Sequence, residues 1–323
     1  MKEDQFRQNY KKAVNQMKAN EAMKRNVEQA VRAQRQEQKK PRRTLYIAAS
    51  IVIAAGIGLA APSVWNQVNA PTAVPDTEVA QVEPVAPSGS VVIPKMELPD
   101  MASGVSADMI GLVVYQNNIY TQSGTSIEAA NIEALRGEKL GTTTGGIDEW
   151  SGKDDYIELA SNIGAVDIYA VKGYDPAFRV MSYEVIDGQV FAQLYDMTNG
   201  ITVSSGADLI GKLQLEGRVA SAQWEGYDSW NNGLQQLQPL AADESLGSFI
   251  AALYAAQPVA EDDARVANIY DGQDRKIIYV TLADNTRVQL VLFGEGFVRY
   301  SNAPVFFEVE PGAFQSFWDS LGE

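Results

Sequence analysis

The 323-residue chain contains no cysteine and no histidine. The first absence excludes disulfides, thiolate nucleophiles and cysteine-ligated clusters. The second excludes histidine-based triads, histidine metal sites and the ordinary side-chain switch near neutral pH. A cysteine-free chain fits an oxidising or exposed compartment without establishing one. Positive charge is scarce beyond the first residues: residues 1–43 carry 13 Lys/Arg and 5 Asp/Glu, a balance of +8, and the remainder carries 13 and 36, a balance of −23. A chain that is 46% hydrophobic and 9% aromatic is too apolar to be disordered throughout, and its length suits about two ordinary domains.

The charge boundary falls at Lys39, Lys40, Arg42 and Arg43, directly before Leu45–Pro62, which reads LYIAASIVIAAGIGLAAP and holds no charged residue. Eighteen residues at about 1.5 Å each span roughly 27 Å, close to the hydrocarbon thickness of a bilayer. A buried helix of a soluble domain would show a polar face, and this run offers only Ser50 and the hydroxyl of Tyr46. The expectation is one transmembrane helix within residues 44–65. The basic cluster orients it with residues 1–43 cytoplasmic and the rest outside, and Tyr46 and Trp65 mark its two ends. A cleaved signal peptide is the alternative, but 43 residues far exceed a usual charged leader region. Ser50, Ala54 and Gly58 form a small-xxx-small series that would let two such helices approach closely as a homodimer.

Residues 4–36 predict two amphipathic helices. Phe6, Tyr10, Val14 and Met17 recur at helical spacing, Asn20 interrupts as a cap, and Met23, Val27 and Val31 form a second stripe. About forty residues rarely bury such stripes alone. Three readings are open: solvated juxtamembrane helices, helices lying on an anionic inner leaflet, or helices docked on a cytoplasmic protein. The stretch FRQNYKKAVNQMKANEAMKRNVEQAVRAQRQEQKKPRR, then one apolar run, then a large acidic domain, resembles the membrane-anchored anti-sigma factors of Gram-positive bacteria that control extracytoplasmic-function sigma factors. The likeness covers about 60 residues and rests on helix pattern and topology. It implies that the cytoplasmic helices hold a sigma factor at the membrane and that the exported domain senses an envelope signal. It also implies contact residues: Phe6, Tyr10, Val14, Met17, Met23, Val27 and Val31. The chain departs from the zinc-binding subgroup of that family, having none of its His and Cys ligands.

Residues 66–104 hold six of the 13 prolines and no aromatic residue, and read as a semi-extended spacer, a passive stalk or a place for a protease to cut. Residues 105–323 hold 25 of the 29 aromatics and are expected to fold as α+β with antiparallel sheets and segregated helices, as two related subdomains at 105–200 and 220–323. Hairpin turns are predicted at Asn117-Asn118, Asp187-Gly188, Asp284-Asn285 and Glu295-Gly296. Helices are predicted after Ser126 up to Gly137, after Asp243 or Ser245 up to Pro258, and after Pro311 with Phe314, Phe317, Trp318 and Leu321 on one side. Alternation over 277–282 predicts a central strand.

No enzyme chemistry is expected. LGTTTGGID (140–148) lacks a P-loop lysine and reads as a flexible loop. Residues 228–239 lack the carboxylate that a calcium loop needs at its twelfth position, where Pro239 stands. Asp154-Asp155 and Glu261-Asp262-Asp263 read as solvated charge rather than a hydrolase pair. No metal and no cofactor are expected. With 12 basic and 31 acidic residues over 105–323, nucleic acid is disfavoured and a cationic partner or another envelope ligand is favoured. GYDPAFRVMSYE (173–184) and WEGYDSWNNG (224–233) set aromatics among turn residues, and read equally as saccharide- or peptide-binding stretches or as corners packed on the core. The alternative to a sigma-factor regulator is a cell-wall-associated binding or structural module whose cytoplasmic tail only fixes topology.

Overall fold

Four tight hairpins organise the folded C-terminal part of the chain, its head. In the computed structural model, which describes residues 89–97, 110–148 and 151–322, strands β1 (Val91–Ile93), β2 (Leu112–Tyr115), β3 (Asn118–Gln122) and β4 (Thr125–Ile127) precede a one-turn helix α1 (Ile132–Leu135). Next come β5 (Arg136–Thr142), β6 (Gly145–Gly146), β7 (Ala160–Ser161), β8 (Asp167–Val171), β9 (Arg179–Ile186), β10 (Gln189–Asp196) and β11 (Ile201–Val203). The remainder is β12 (Val219–Gly226), α2 (Tyr227–Asn231), β13 (Gln238–Leu240), α3 (Glu244–Ala255), β14 (Gln257–Ala260), β15 (Arg275–Leu282), β16 (Thr286–Phe293), β17 (Phe297–Tyr300), β18 (Val305–Glu308) and α4 (Pro311–Ser320). The described residues are mostly antiparallel sheet with few helices, an α+β architecture.

The first sheet has the order β5-β8-β9-β10-β3-β2-β7-β6, with only β6 and β7 parallel. The second runs β13-β12-β15-β16-β17-β18-β14, with β4 added beside β16, and β1 pairs β11 in a separate ribbon. Strand β4 is the chain's crossing point: two residues after β3, within the first range expected as a subdomain, it joins the second sheet.

Turn chemistry explains the hairpins. Asp187 and Gly188 both take positive φ between β9 and β10, as a two-residue primed turn requires. Asn285 and Gly296 supply the left-handed residue of the three-residue turns after β15 and β16. The first turn lies one residue earlier than predicted: Gln116 and Asn117 have positive φ and Asn118 opens β3. That register keeps Leu112, Val114 and Ile119 in one core cluster and Val113 and Tyr120 in another, and a one-residue slip would exchange the faces.

Two further expectations are corrected. Ser126 is not a helix cap but pairs with Arg287 in β4, and the helical stretch shrinks to a 3-10 turn (Ala129–Asn131) plus α1. Gly137 does not end a helix but lies in bulged β5, where a Cβ would come 2.7 Å from the Ala170 carbonyl oxygen. Residues 91–93, read as spacer, form β1, with Ile93 buried in the main core.

That core lies between the second sheet and two helices. Asp243 accepts hydrogen bonds from the Ser245 and Leu246 amides and starts α3, which buries Leu246, Phe249, Ile250 and Leu253. Glu310 caps α4 from the residue before Pro311, holding its carboxyl below the usual range through the Gly312 and Ala313 amides. Phe249 and Phe317 stack with centroids 4.0 Å apart across the two helices. Pro258 is tolerated in β14 because that strand is a sheet edge. Strand β15 is internal, with Ile278, Val280 and Leu282 in the main core and Ile277 buried as well.

Gly206 is fixed by an even closer approach than Gly137. A Cβ on Gly206 would lie 1.9 Å from the Leu253 carbonyl oxygen, whereas one on Gly247, exposed in α3, would meet nothing within 4 Å. Gly206→Ala is therefore expected to destabilise by at least about 1–3 kcal/mol, and Gly247→Ala to stabilise by about 1 kcal/mol. Denaturant midpoints of the two variants check both signs.

Candidate functional site

The residues proposed for sigma-factor contact (Phe6, Tyr10, Val14, Met17, Met23, Val27 and Val31) and for membrane orientation (Lys39, Lys40, Arg42 and Arg43) lie outside the described residues, as does the apolar run 45–62. Among the described residues no helix is long and apolar enough to cross a membrane. Three polar clusters among the described residues have buried or partly buried charges at their centres.

The first is a buried knot between the two sheets. Arg179, at the start of β9, and Asp196, at the end of β10, are register partners and 0% and 1% exposed. Arg179 Nε donates to Asp196 Oδ1 at 2.7 Å and Nη2 donates to Asp196 Oδ2 at 2.9 Å, a two-point fork. The second sheet closes on the pair. Tyr300 of β17 donates its hydroxyl to Asp196 Oδ2 at 2.5 Å, and Thr125 of β4 accepts from Arg179 Nη2 at 3.0 Å. Ser123 adds a bond to Asp196 at 2.6 Å. Burial works against the Arg179 charge, but Asp196 and Tyr300 outweigh it and raise its pKa. Burial and then Asp196 raise that of the Tyr300 phenol. Both shifts favour the protonated form of each group, the form in which Arg179 and Tyr300 donate to Asp196. Nη1 of Arg179 is buried without a hydrogen-bond partner among the described residues.

The second cluster is a neighbouring staple. The Tyr174 ring lies 4.7 Å from the Arg179 guanidinium and 5.8 Å from that of Arg218, and its hydroxyl donates to Asp284 at 3.0 Å. Asp284 also receives Arg218 at 2.6 Å and the amide and hydroxyl of Thr286 at 2.9 and 2.7 Å. Partial burial pushes the Asp284 carboxyl up, yet the bonds from Thr286 and Tyr174, with the Arg218 charge, bring it below its ordinary value of 3.8. The third cluster centres on Glu225, 3% exposed, which accepts from the Ser229 and Tyr279 hydroxyls at 2.6 Å each.

Stretches singled out in the sequence resolve as follows. Residues 140–148 are not a loose loop: β5 and β6 occupy much of them, and buried Thr143 donates to the Gly164 carbonyl at 2.6 Å while accepting from the Val166 amide at 2.9 Å. Asp154 and Asp155 are exposed. Glu261 is not simply solvated, since it pairs with Arg299 at 3.4 Å with both side chains mostly covered, and Asp263 pairs with exposed Arg265, which lowers its pKa to about 2. No three His, Cys, Asp or Glu converge among the described residues, and Pro239 sits in β13. A shallow depression of about 280 Å³ between α3 and α4 is lined by Ala252, Ala255, Gln257, Val309 and Pro311. The carboxylates at its rim are already engaged, Glu308 by Arg265 and Glu310 as a helix cap.

No protein-family model, curated protein or solved structure matches this chain.

The Arg179–Asp196 partnership was readable in principle. A two-residue turn at Asp187-Gly188 fixes every cross-strand pair of its hairpin and sets 179 opposite 196. Tyr300, Thr125 and Ser123 come from the second sheet and its approach, and no local pattern announces them.

The Asp284 staple carries a pH signature. A carboxyl whose folded pKa is lowered contributes stability that is complete above the unfolded value near 3.8 and is lost as pH falls below it. Asp284→Asn is therefore expected to lower the melting temperature at pH 7, with the gap from wild type closing below about pH 4. A gap independent of pH would contradict the assignment.

Proposed function

We propose that the chain is a single-pass membrane regulator of the anti-sigma kind, in which cytoplasmic helices hold a sigma factor and an exported head senses the envelope. The observation that carries this reading is the division of charge about one uncharged 18-residue run, +8 before it and −23 over the remainder of the chain. An amphipathic pair of helices on the basic side, too short to cover its own apolar stripes, needs a partner. The folded head supports a sensing role in one respect. Its two sheets are tied by buried polar bonds, so a ligand on either sheet acts on one connected body. In this reading residues 44–65 span the membrane and the acidic head lies outside.

The test is co-purification of the full-length protein from membranes. A sigma factor is expected to accompany it, and Val14→Asp combined with Val27→Asp is expected to release that factor by placing charge on the apolar stripes. If deletion of residues 3–36 changes neither the bound proteins nor transcription, the wall-associated module is the correct reading.

A further inference from the structure

The surface around α2 and the loop after it differs in chemistry from the rest of the head. From Ser229 to Leu240 the chain reads SWNNGLQQLQPL without one charged side chain, inside a region with 31 acidic and 12 basic residues. Asn231, Gln235, Gln236 and Gln238 are exposed, and their side-chain amides make no hydrogen bond among the described residues. Leu234 is 56% exposed. Tyr227 and Trp230, both half-buried, lie beside them with ring centroids 6.2 Å apart and planes 37° from parallel.

This surface is held in place from below. Ser229 is the anchor: its hydroxyl donates to buried Glu225 at 2.6 Å and accepts from the Gln236 backbone N–H at 2.8 Å, and its carbonyl accepts from the Leu234 backbone N–H at 2.9 Å. Tyr279 fixes the other Glu225 oxygen at 2.6 Å. The guanidinium of Arg275, a residue 4% exposed, lies 4.3 Å from the centre of the Tyr227 ring and positions it. A preorganised surface loses less conformational freedom when a ligand arrives.

The groups presented select a chemical class. Carboxamides offer donor and acceptor together, as a lattice of hydroxyl groups needs. Aromatic rings offer flat apolar faces that fit the C–H face of a pyranose. A cationic ligand would find one carboxylate on this surface, exposed Asp228, and none from Ser229 to Leu240, while an anionic one would meet the negative field of the head. We propose that the Tyr227–Leu240 surface binds a neutral polysaccharide, with Tyr227 and Trp230 stacking on sugar rings and Asn231, Gln235 and Gln236 bonding their hydroxyl or acetamido groups. This concerns the head alone and stands apart from whether the N-terminal segment holds a sigma factor.

The test is calorimetric titration of the full chain, in a detergent without a sugar headgroup, with two probes: cellohexaose and the β-1,4-linked hexamer of N-acetylglucosamine. Binding of at least one is expected, with Trp230→Ala weakening it about tenfold or more. A second variant, Gln235→Ala with Gln236→Ala, removes only exposed amides and keeps the test valid if the tryptophan variant misfolds. It is expected to weaken binding without altering the circular dichroism. Failure of the wild type to bind either probe at millimolar concentration overturns the proposal, as does undiminished binding by the double variant.

Discussion

A guanidinium and a carboxylate with no access to water are costly to bury, and the head is built so that neither sheet satisfies them alone. Arg179 and Asp196 sit opposite one another in the first sheet, but the bonds that complete Asp196 and occupy Arg179 Nη2 come partly from Tyr300 and Thr125 of the second. Separating the sheets would leave a buried ion pair half-solvated and strip Tyr300 of its acceptor. Removing one member of such a pair typically costs about 3–5 kcal/mol, although an apolar replacement of the whole set can be neutral. The knot therefore constrains how the sheets meet more than it adds to net stability, and the unpartnered Nη1 of Arg179 is consistent with that balance.

Other features reinforce the same joint. Strand β4 leaves the first sheet and pairs with β16, Phe178 enters the core beneath the second sheet, and the Tyr174 hydroxyl reaches across to Asp284. In the proposed reading, such a joint would let occupation of one surface bear on the other sheet. The uncharged loop anchored by Ser229 and Glu225 hangs from β12, next to β15 in the second sheet. In the proposed arrangement a single uncharged run would separate this head from a basic helical segment, and the division of charge in the sequence matches that separation of tasks.

Local rules of the chain reached a definite depth. Turn residues with obligatory backbone geometry, such as Asp187-Gly188, and helix starts with a cap and a following apolar stripe, such as Asp243 before α3, were legible because their determinants lie within a few residues. Ser126 was misread because a serine before an apolar–acidic run fits a cap as well as an exposed strand position. What decided between them was the partner β16, some 160 residues away. Strand β1 escaped notice because three residues in a proline-rich surrounding show no periodicity, and only pairing with β11 gives Ile93 its burial. The Arg179 knot was half legible: the hairpin register gives Asp196, but the contributions from the second sheet are tertiary. Glu225 was hidden for the same reason, because Tyr279 belongs to a neighbouring strand.

Hydrogen exchange read by mass spectrometry on the full chain tests the joint most directly, with peptides from β9 and β10 reporting the first sheet and peptides from β15 and β16 the second. Coupling through the knot predicts one common opening free energy for the most protected amides of both sheets in wild type, and two diverging values once Arg179→Met removes the ion pair. Wild-type sheets that open at clearly different denaturant concentrations would contradict it.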